Sequence, residues 1–253
     1  ETNRHALLRL PFAWLPPVLA TVVGALSLSV WEHGTNGTAE MFDLLMFAYV
    51  VRSLLEYRID QKENRLFRTA LVFGAAMTNN LAMIAFLPLF IVALIWTRKL
   101  AFFNLKFLAR MAGCGFAGLL FYLVLPLVGS LSAGSSLSFW ELLVNNVMGR
   151  KFLLFIFPRN TILLLSLTSI LPVFLLSIKW SSQFGDPSRI GALITTAMFH
   201  LCHIVLLLAC LWMTLDPDFS PRQVGYGLAF LPLYFLAALS IGYYSGYLLL
   251  ISQ

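Results

Sequence analysis

Acidic and aromatic side chains gather in one short segment of the sequence, where a first apolar stretch ends and a second begins. The segment contains Trp31, Glu32 and His33, and Glu40 and Asp43 follow closely. Because Glu40 and Asp43 are three residues apart, a helix would place both carboxylates on one face. A carboxylate that enters an apolar helix is energetically costly and is therefore a candidate functional group. Such side chains could hold a hydroxyl group or a metal-bound water.

The same residues also have a structural explanation, which the sequence leaves open. Acids near a helix N-terminus are stabilised by the helix dipole, so Glu40 and Asp43 could simply cap an interfacial turn. The three polar residues Thr78-Asn79-Asn80 lie inside apolar sequence, and they too have both a structural and a functional explanation. Its side chains could satisfy backbone groups at a turn or contact a polar ligand.

The composition around these groups is that of an integral membrane protein. Hydrophobic residues make up 60% of the chain and charged residues only 11%, against about 25% charged in soluble domains. Uncharged apolar stretches of about 20 residues, enough to cross ~30 Å of hydrocarbon, recur along the chain. A water-soluble enzyme, a disordered regulator and a disulfide scaffold are excluded. We attribute the net charge of +6 to cytoplasmic loops rather than to nucleic-acid binding.

The pattern of apolar stretches predicts an all-α, polytopic transmembrane protein with a single transmembrane domain over residues 1–253. Pro16 and Pro17 are expected to kink the first span. Gly113, Gly115 and Gly118 are expected to allow close helix packing. The predicted spans are Leu10–Trp31, Ala39–Tyr57, Leu66–Trp96, Met111–Val128, Thr161–Ile178, Ile190–Leu215 and Val224–Ile251, and the polar breaks include Glu32–Thr38 and Arg58–Arg65.

Basic residues flank both ends of the Leu66–Trp96 stretch. They are Arg58, Lys62, Arg65 and Arg68 before it, and Arg98, Lys99, Lys106 and Arg110 after it. Since basic residues concentrate on the cytoplasmic side, we predict two short helices that turn at Asn79-Asn80 and return both clusters to that side. One long tilted helix is the alternative.

The hairpin gives a one-sided distribution of charge. Of the 17 Lys and Arg, only four (Arg150, Lys151, Arg159 and Arg222) then lie outside, which leaves 13 on or near the cytoplasmic side. The expected cytoplasmic positions include Lys62, Lys106 and Gln183, and the expected non-cytoplasmic positions include Gly34 and Gly134.

A capping box, Ser138 with Glu141, predicts the start of an amphipathic helix that lies on the outer membrane surface. Trp140 would lie at headgroup level, and Gly149 would end the helix. Arg150 and Lys151 follow, and they could bind a lipid phosphate or anchor the helix by reaching to the interface.

Several of these segments together resemble a family of bacterial multi-spanning proteins related to transmembrane protein O-mannosyltransferases. The resembling segments are Leu26–His33, Ala39–Met41, Leu44–Tyr49, Arg52–Arg58 and Ala75–Asn80, followed by Pro88. The resemblance covers about Leu10 to Arg110, and the remainder is similar only as a pattern of spans.

The resemblance implies a membrane glycosyltransferase of the GT-C class. Such enzymes transfer a sugar from a polyprenyl-phosphate donor to an acceptor on the non-cytoplasmic side. The family's catalytic acid lies in the first external loop, which is expected upstream of residue 1, so no catalytic residue is assigned here. The chain is then expected to be a fragment of a longer protein, inactive alone, in the bacterial inner membrane.

The predicted substrate-binding set combines the polar segment with basic residues. It consists of Trp31, Glu32, His33, Glu40, Asp43, Arg150 and Lys151, roofed by the Trp140 helix. Because acids alone would repel a phosphate, a cation is needed from Arg150, Lys151, Arg159 or a bound divalent metal. No protein metal-ligand set is predicted. The expected partners are a lipid-linked sugar donor and membrane lipids. The alternative function is that of a polytopic transporter or lipid flippase.

Overall fold

The computed structural model describes residues 14–37, 39–132, 137–156, 189–215 and 231–250. These residues are helical almost throughout and contain no strand, which confirms the all-α prediction. The predicted span Thr161–Ile178 and the positions Gly134, Arg159, Gln183 and Arg222 lie outside them. The α-helices in the described ranges are α1 (Leu15–Leu26), α2 (Leu28–Asn36), α3 (Ala39–Asp60), α4 (Glu63–Asn79), α5 (Leu87–Arg98), α6 (Leu105–Leu119), α7 (Val124–Leu131), α8 (Phe139–Ile156), α9 (Arg189–Leu215) and α10 (Leu231–Leu250).

Two continuous helical stretches are long and apolar enough to cross a membrane. They are Met83–Phe103, with 21 residues, and Leu105–Leu131, with 27 residues. The first combines α5 with 3-10 segments at Leu81–Phe86 and Lys99–Phe103, and the second joins α6 to α7 through a 3-10 segment at Leu120–Leu123. The bent pair α1 and α2 would add a third stretch if it acts as one span. These lengths and compositions are compatible with a membrane protein.

The helices form two compact units. Helices α1, α2, α9 and α10 belong to the first unit, and α3 to α8 belong to the second. Within the first unit, α10 packs against α1 through small residues, since Gly24 faces Ala238 and Gly242 faces Ala20. The Ser29 hydroxyl donates to the Tyr234 hydroxyl at 3.1 Å and links α2 to α10.

The first apolar stretch breaks at Ser27 instead of kinking at its prolines. Pro16 lies in the first turn of α1, where its missing N–H would have no helical partner in any case. Ser27 is extended, with φ −61° and ψ 120°, and α1 and α2 meet there at 58°. The expected polar break Glu32–Thr38 is also shorter than predicted, because α2 continues to Asn36 and ends at the left-handed Gly37.

In the second unit, α3 and α4 are joined by a turn of only two residues. The predicted polar linker Arg58–Arg65 is therefore mostly helical, since α3 ends at Asp60 and α4 begins at Glu63. Gln61 adopts a left-handed conformation with φ 56°. The Asp60 carboxylate accepts the Lys62 backbone N–H at 3.1 Å and stabilises this turn.

The predicted hairpin at Asn79-Asn80 is confirmed. Helix α4 ends at Asn79, Asn80 is extended, and the chain returns through α5. Arg98 at the end of α5 donates to Glu63 at the start of α4 over 2.6 Å. A straight helix would separate these residues by about 50 Å, so the single-helix alternative is wrong. Both basic clusters consequently lie at one end of the second unit, which we call the basic end.

Helix α6 crosses α4 at a contact between glycines. A Cβ atom on Gly118 would overlap the Leu71 carbonyl oxygen and lie 2.7 Å from the Ala75 nitrogen. A Cβ on Gly74 would overlap the carbonyl oxygen of Gly115. Gly113, by contrast, faces open space with no atom within 4 Å of a built Cβ. The expected close packing is therefore present at Gly115 and Gly118 but absent at Gly113.

We predict that Gly118→Ala separates α4 from α6 and lowers stability by about 1–3 kcal/mol, the usual effect of overpacking. The measurement is thermal unfolding of the purified protein in detergent. Gly113→Ala is the matched control, and its added methyl group should leave the melting temperature unchanged or slightly higher because alanine favours the helix. Equal melting temperatures for Gly118→Ala and Gly113→Ala would contradict the close contact.

We also predict that Lys62→Cys and Lys106→Cys label from the same side of the membrane, since both positions lie at the basic end. The background should lack the three native cysteines, and the reagent should be a membrane-impermeant maleimide. The positive-inside bias predicts that both react only after the cytoplasmic side is opened. Labelling of one position from each side would be incompatible with the hairpin in a membrane.

Candidate functional site

The Asp43 carboxylate is buried and is held by the two asparagines at the hairpin turn. The Nδ2 group of Asn79 donates to Asp43 Oδ1 at 2.7 Å, and the Nδ2 group of Asn80 donates to Oδ2 at 2.9 Å. Asp43 is only 2% exposed. Asn79 Nδ2 also lies 3.3 Å from the Ala39 carbonyl oxygen. Each carboxylate oxygen thus has an amide donor, and we call Asp43, Asn79 and Asn80 the carboxylate–amide cluster.

The end of α4 explains why both amides point toward α3. Asn79 is the last residue of the helix, and Asn80 adopts an extended conformation with φ −135° and ψ 110°. The Asn80 N–H still bonds to the Ala76 carbonyl at 3.0 Å, while its own carbonyl accepts the Met83 N–H at 3.1 Å. The backbone is therefore satisfied without the side chains, which leaves the two amides available for Asp43.

Glu40 lies on α3 one turn before Asp43, in the first turn of the helix. It is half-buried, and within the described part of the chain its carboxylate forms no hydrogen bond or ion pair. The two acids that the sequence placed on one helix face therefore differ in environment. Asp43 is held in place by protein donors, whereas Glu40 is available to an external hydroxyl group.

The other three residues of the polar segment belong to the first unit. Trp31 is 60% exposed, and its indole N–H donates to the Ala25 carbonyl oxygen across the break at Ser27. The Nδ1 atom of His33 lies 2.8 Å from the Ser29 carbonyl oxygen, and the ring is buried. Glu32 is half-buried in α2. Trp31 and His33 thus contact the backbone of their own unit.

The predicted capping box begins α8. The Ser138 backbone N–H and hydroxyl both donate to one Glu141 oxygen, at 2.7 and 2.8 Å, and the Glu141 N–H points back at the Ser138 hydroxyl at 3.3 Å. The bond from the Ser138 backbone, followed by that from its hydroxyl, holds the pKa of Glu141 below its usual value.

Helix α8 continues past Gly149, which was expected to end it. A glycine inside a helix weakens it by only about 1 kcal/mol relative to alanine, so the flanking residues can continue the helix. Arg150 and Lys151 consequently lie within α8, and their side chains lie outside the described part of the structure. Trp140 is 70% exposed.

The basic end carries an ion-pair network at the turn between α3 and α4. Arg65 donates to Asp60 at 2.6 Å and also pairs with Glu56, which in turn binds Arg52 at 2.8 Å. The hydrogen bond from Arg65 is the largest cause of a lowered pKa for Asp60. Asp60 lies about 25 Å along α3 from Asp43, so this network is distant from the carboxylate–amide cluster.

Sequence reasoning identified Asp43 and Asn79-Asn80 separately and missed their pairing. The short polar linker after α3 could have indicated this pairing. If α4 folds back along α3, its last residues lie beside the first residues of α3. Sequence reasoning named Arg98 only as a flanking basic residue. It did not predict that this side chain stacks on the Phe107 ring, at 3.7 Å. Among the described residues, no group of three His, Cys, Asp or Glu side chains could hold a metal ion.

No protein-family model matches the chain, and no curated protein or solved structure shows a significant match. The resemblance to the GT-C class therefore stays an expectation that rests on the quoted segments.

We predict that Asn80→Ala destabilises the protein because it removes the donor to Asp43 Oδ2. A buried acceptor that loses its donor costs about 1–3 kcal/mol, which should appear as a lower melting temperature in detergent. Asn64→Ala, an exposed substitution near the start of the same helix, is the control and should have little effect. Identical melting temperatures in the two variants would show that the cluster does not hold the hairpin turn.

Proposed function

We propose that this chain forms part of a polytopic membrane glycosyltransferase of the GT-C class in a bacterial inner membrane. In this proposal, a sugar passes from a polyprenyl-phosphate donor to an acceptor hydroxyl on the non-cytoplasmic side. The observation that carries the proposal is that two neighbouring carboxylates on α3 have different surroundings. Asp43 accepts hydrogen bonds from Asn79 and Asn80. Glu40, one turn away, is half-buried and has no hydrogen-bond or ion-pair partner among the described residues.

The spatial arrangement of the resembling segments supports this proposal. Ala39–Met41 and Ala75–Asn80 are separated in sequence, yet they meet where Asn79 contacts both Ala39 and Asp43. Carboxylates and amides are also suitable partners for sugar hydroxyls, because a carboxylate only accepts hydrogen bonds while an amide both donates and accepts.

The chemistry of the proposal follows from the donor and the acceptor. The acceptor oxygen forms a bond to the anomeric carbon, the bond from that carbon to the phosphate oxygen breaks, and the lipid phosphate leaves with the electron pair. The acceptor proton passes to a carboxylate acting as a general base. No residue of this chain is assigned as that base, and Glu40 is proposed to accept a hydrogen bond from the acceptor hydroxyl.

The sugar phosphate of the proposed donor also needs a positive charge nearby. Arg150 and Lys151 of α8, or a divalent metal, are proposed to supply it. Since both Asp43 oxygens accept amide N–H groups, Asp43 fits a positioning role better than that of a metal ligand.

We predict that Glu40→Gln lowers sugar transfer by about 10- to 100-fold, because a hydrogen bond to a charged group contributes about 1.5–3 kcal/mol. The assay should use membranes that contain the full-length protein. It should follow transfer of radiolabelled sugar from a polyprenyl-phosphate donor.

Glu56→Gln is the matched control, because it makes the same change on the same helix at the basic end. Its transfer rate should equal that of the unmodified protein, and membrane insertion should be equal in all three. Full transfer activity in Glu40→Gln would refute the assigned role of Glu40.

A transporter or lipid flippase is the second candidate, and the break between α1 and α2 favours it. Discontinuous helices that meet within the membrane are typical of transporters, and these two helices meet at 58°. The two candidates differ in one measurement. A transporter would move labelled substrate or lipid across vesicles without forming a glycosylated product.

A further inference from the structure

The second unit contains a cavity of about 430 Å³ that no part of the proposed glycosyl transfer uses. Its size lies within the usual range of ligand pockets, roughly 300–1,000 Å³. Apolar side chains from α3, α4, α5 and α6 line it, together with Phe102 from the 3-10 segment. Thr69 is the one hydroxyl among the lining residues, and it donates to the Arg65 carbonyl at 2.9 Å. The cavity therefore suits a hydrocarbon chain.

The cavity is open toward the outside of the unit. Two of its lining residues, Ile91 on α5 and Phe116 on α6, are 39% and 69% exposed. A linear chain could therefore enter from the side without unfolding a helix. In a bilayer, the molecules that present such chains sideways to a helical protein are lipids.

A buried arginine with unused donors lies beside this cavity. The Arg98 side chain is 9% exposed, and only its Nη2 group has a partner, Glu63 at 2.6 Å. Its Nε and Nη1 atoms are buried without an acceptor in the described part of the chain. Leu94, one turn earlier on α5, and Leu108, next to Phe107, both line the cavity. Buried donors without an acceptor are costly, and none of the described residues supplies an acceptor to these two atoms.

The charge around Arg98 selects the kind of acceptor. The basic end carries more basic than acidic residues, and Arg65 is already paired with Asp60 and Glu56. The basic residues are Arg52, Arg58, Lys62, Arg65, Arg68, Arg98, Lys99, Lys106 and Arg110, and the acidic residues are Glu56, Asp60 and Glu63, so there are nine basic residues against three acidic ones. The excess favours an anionic group, and a hydrogen bond from a guanidinium N–H to phosphate is strengthened by the charges of both partners.

We propose that the basic end binds one anionic glycerophospholipid. One acyl chain occupies the cavity, and the phosphate accepts a hydrogen bond from Nη1 of Arg98. The site is about 25 Å along α3 from Asp43 and is independent of the proposed sugar transfer. A free phosphate ion would leave the cavity unused, and an uncharged lipid would leave the arginine donors without a strong acceptor.

The test is lipid binding to the purified protein, measured by native mass spectrometry in detergent. Dioleoyl phosphatidylglycerol and dioleoyl phosphatidylcholine share their chains and differ in net charge. We expect phosphatidylglycerol to bind roughly tenfold more tightly, and Arg98→Gln to remove that difference. Arg52→Gln, which removes an arginine that is 77% exposed, is the charge-matched control and should retain it.

A second pair of variants tests the cavity without altering Arg98. Ala112→Phe fills the cavity, because Ala112 lines it, and should weaken binding of both lipids. Gly113→Phe adds the same ring to the next residue, which faces open space, and should not. This pair keeps the proposal testable if Arg98→Gln does not fold.

Three results would overturn the proposal. Equal binding of both lipids by the unmodified protein would indicate nonspecific lipid at the protein surface. Unchanged preference for phosphatidylglycerol in Arg98→Gln would remove the arginine from the site. Displacement of phosphatidylglycerol by inorganic phosphate, with no effect of Ala112→Phe, would indicate a simple anion site.

Discussion

A helix that stops within apolar sequence must find partners for the polar groups at its end, and in this protein Asp43 is the partner. The two amides at the end of α4 bind the two oxygens of one buried carboxylate on α3. Neither side of this contact is stable alone in a buried site, because a lone carboxylate and lone amides each lose their bonds to water. The contact therefore fixes the end of α4 against the start of α3, at the point where the chain returns.

The arrangement of the rest of the second unit depends on that return. Because α5 runs back along α4, Arg98 reaches Glu63, and Arg58 comes to lie over the Trp96 ring at 4.7 Å. Tyr57, Leu66, Leu94 and Phe107 then form one apolar cluster at the basic end. The glycine contact between α6 and α4 completes the bundle. One end of the unit thus concentrates positive charge, while the other holds the carboxylate–amide cluster.

This separation of charge keeps the two candidate activities apart. Glu40 can interact with a hydroxyl group at one end without competition from the arginines at the other. Arg98 is a buried charge that lies on an aromatic ring, beside an apolar cavity. The charge suits a phosphate, and the cavity suits an acyl chain. The proposed sugar transfer and the proposed lipid site can therefore be tested by separate substitutions, with separate measurements.

Local sequence patterns were enough to predict the helical class, the capping box at Ser138 and the hairpin turn at Asn79-Asn80. These follow from local rules, since hydropathy, charge bias and capping preferences act over a few turns. Local rules also failed where neighbouring residues overrode them, as at Gly149, within the Arg58–Arg65 linker and at Ser27. The sequence singled out Glu40 and Asp43 together because they share a helix face, but it did not distinguish them.

Which of the two acids is held by protein donors, and which is available, depends on how the helices pack. That difference arises because Asn79 and Asn80, 36 and 37 residues after Asp43, reach one carboxylate and not the other. In the sequence, Arg98 is likewise one of several basic residues that flank an apolar stretch. In the structure, Glu63 takes one of its nitrogens and Phe107 covers its guanidinium, and these two residues come from two other helices. Contacts between residues far apart in sequence are set by how helices pack, and no local pattern records them.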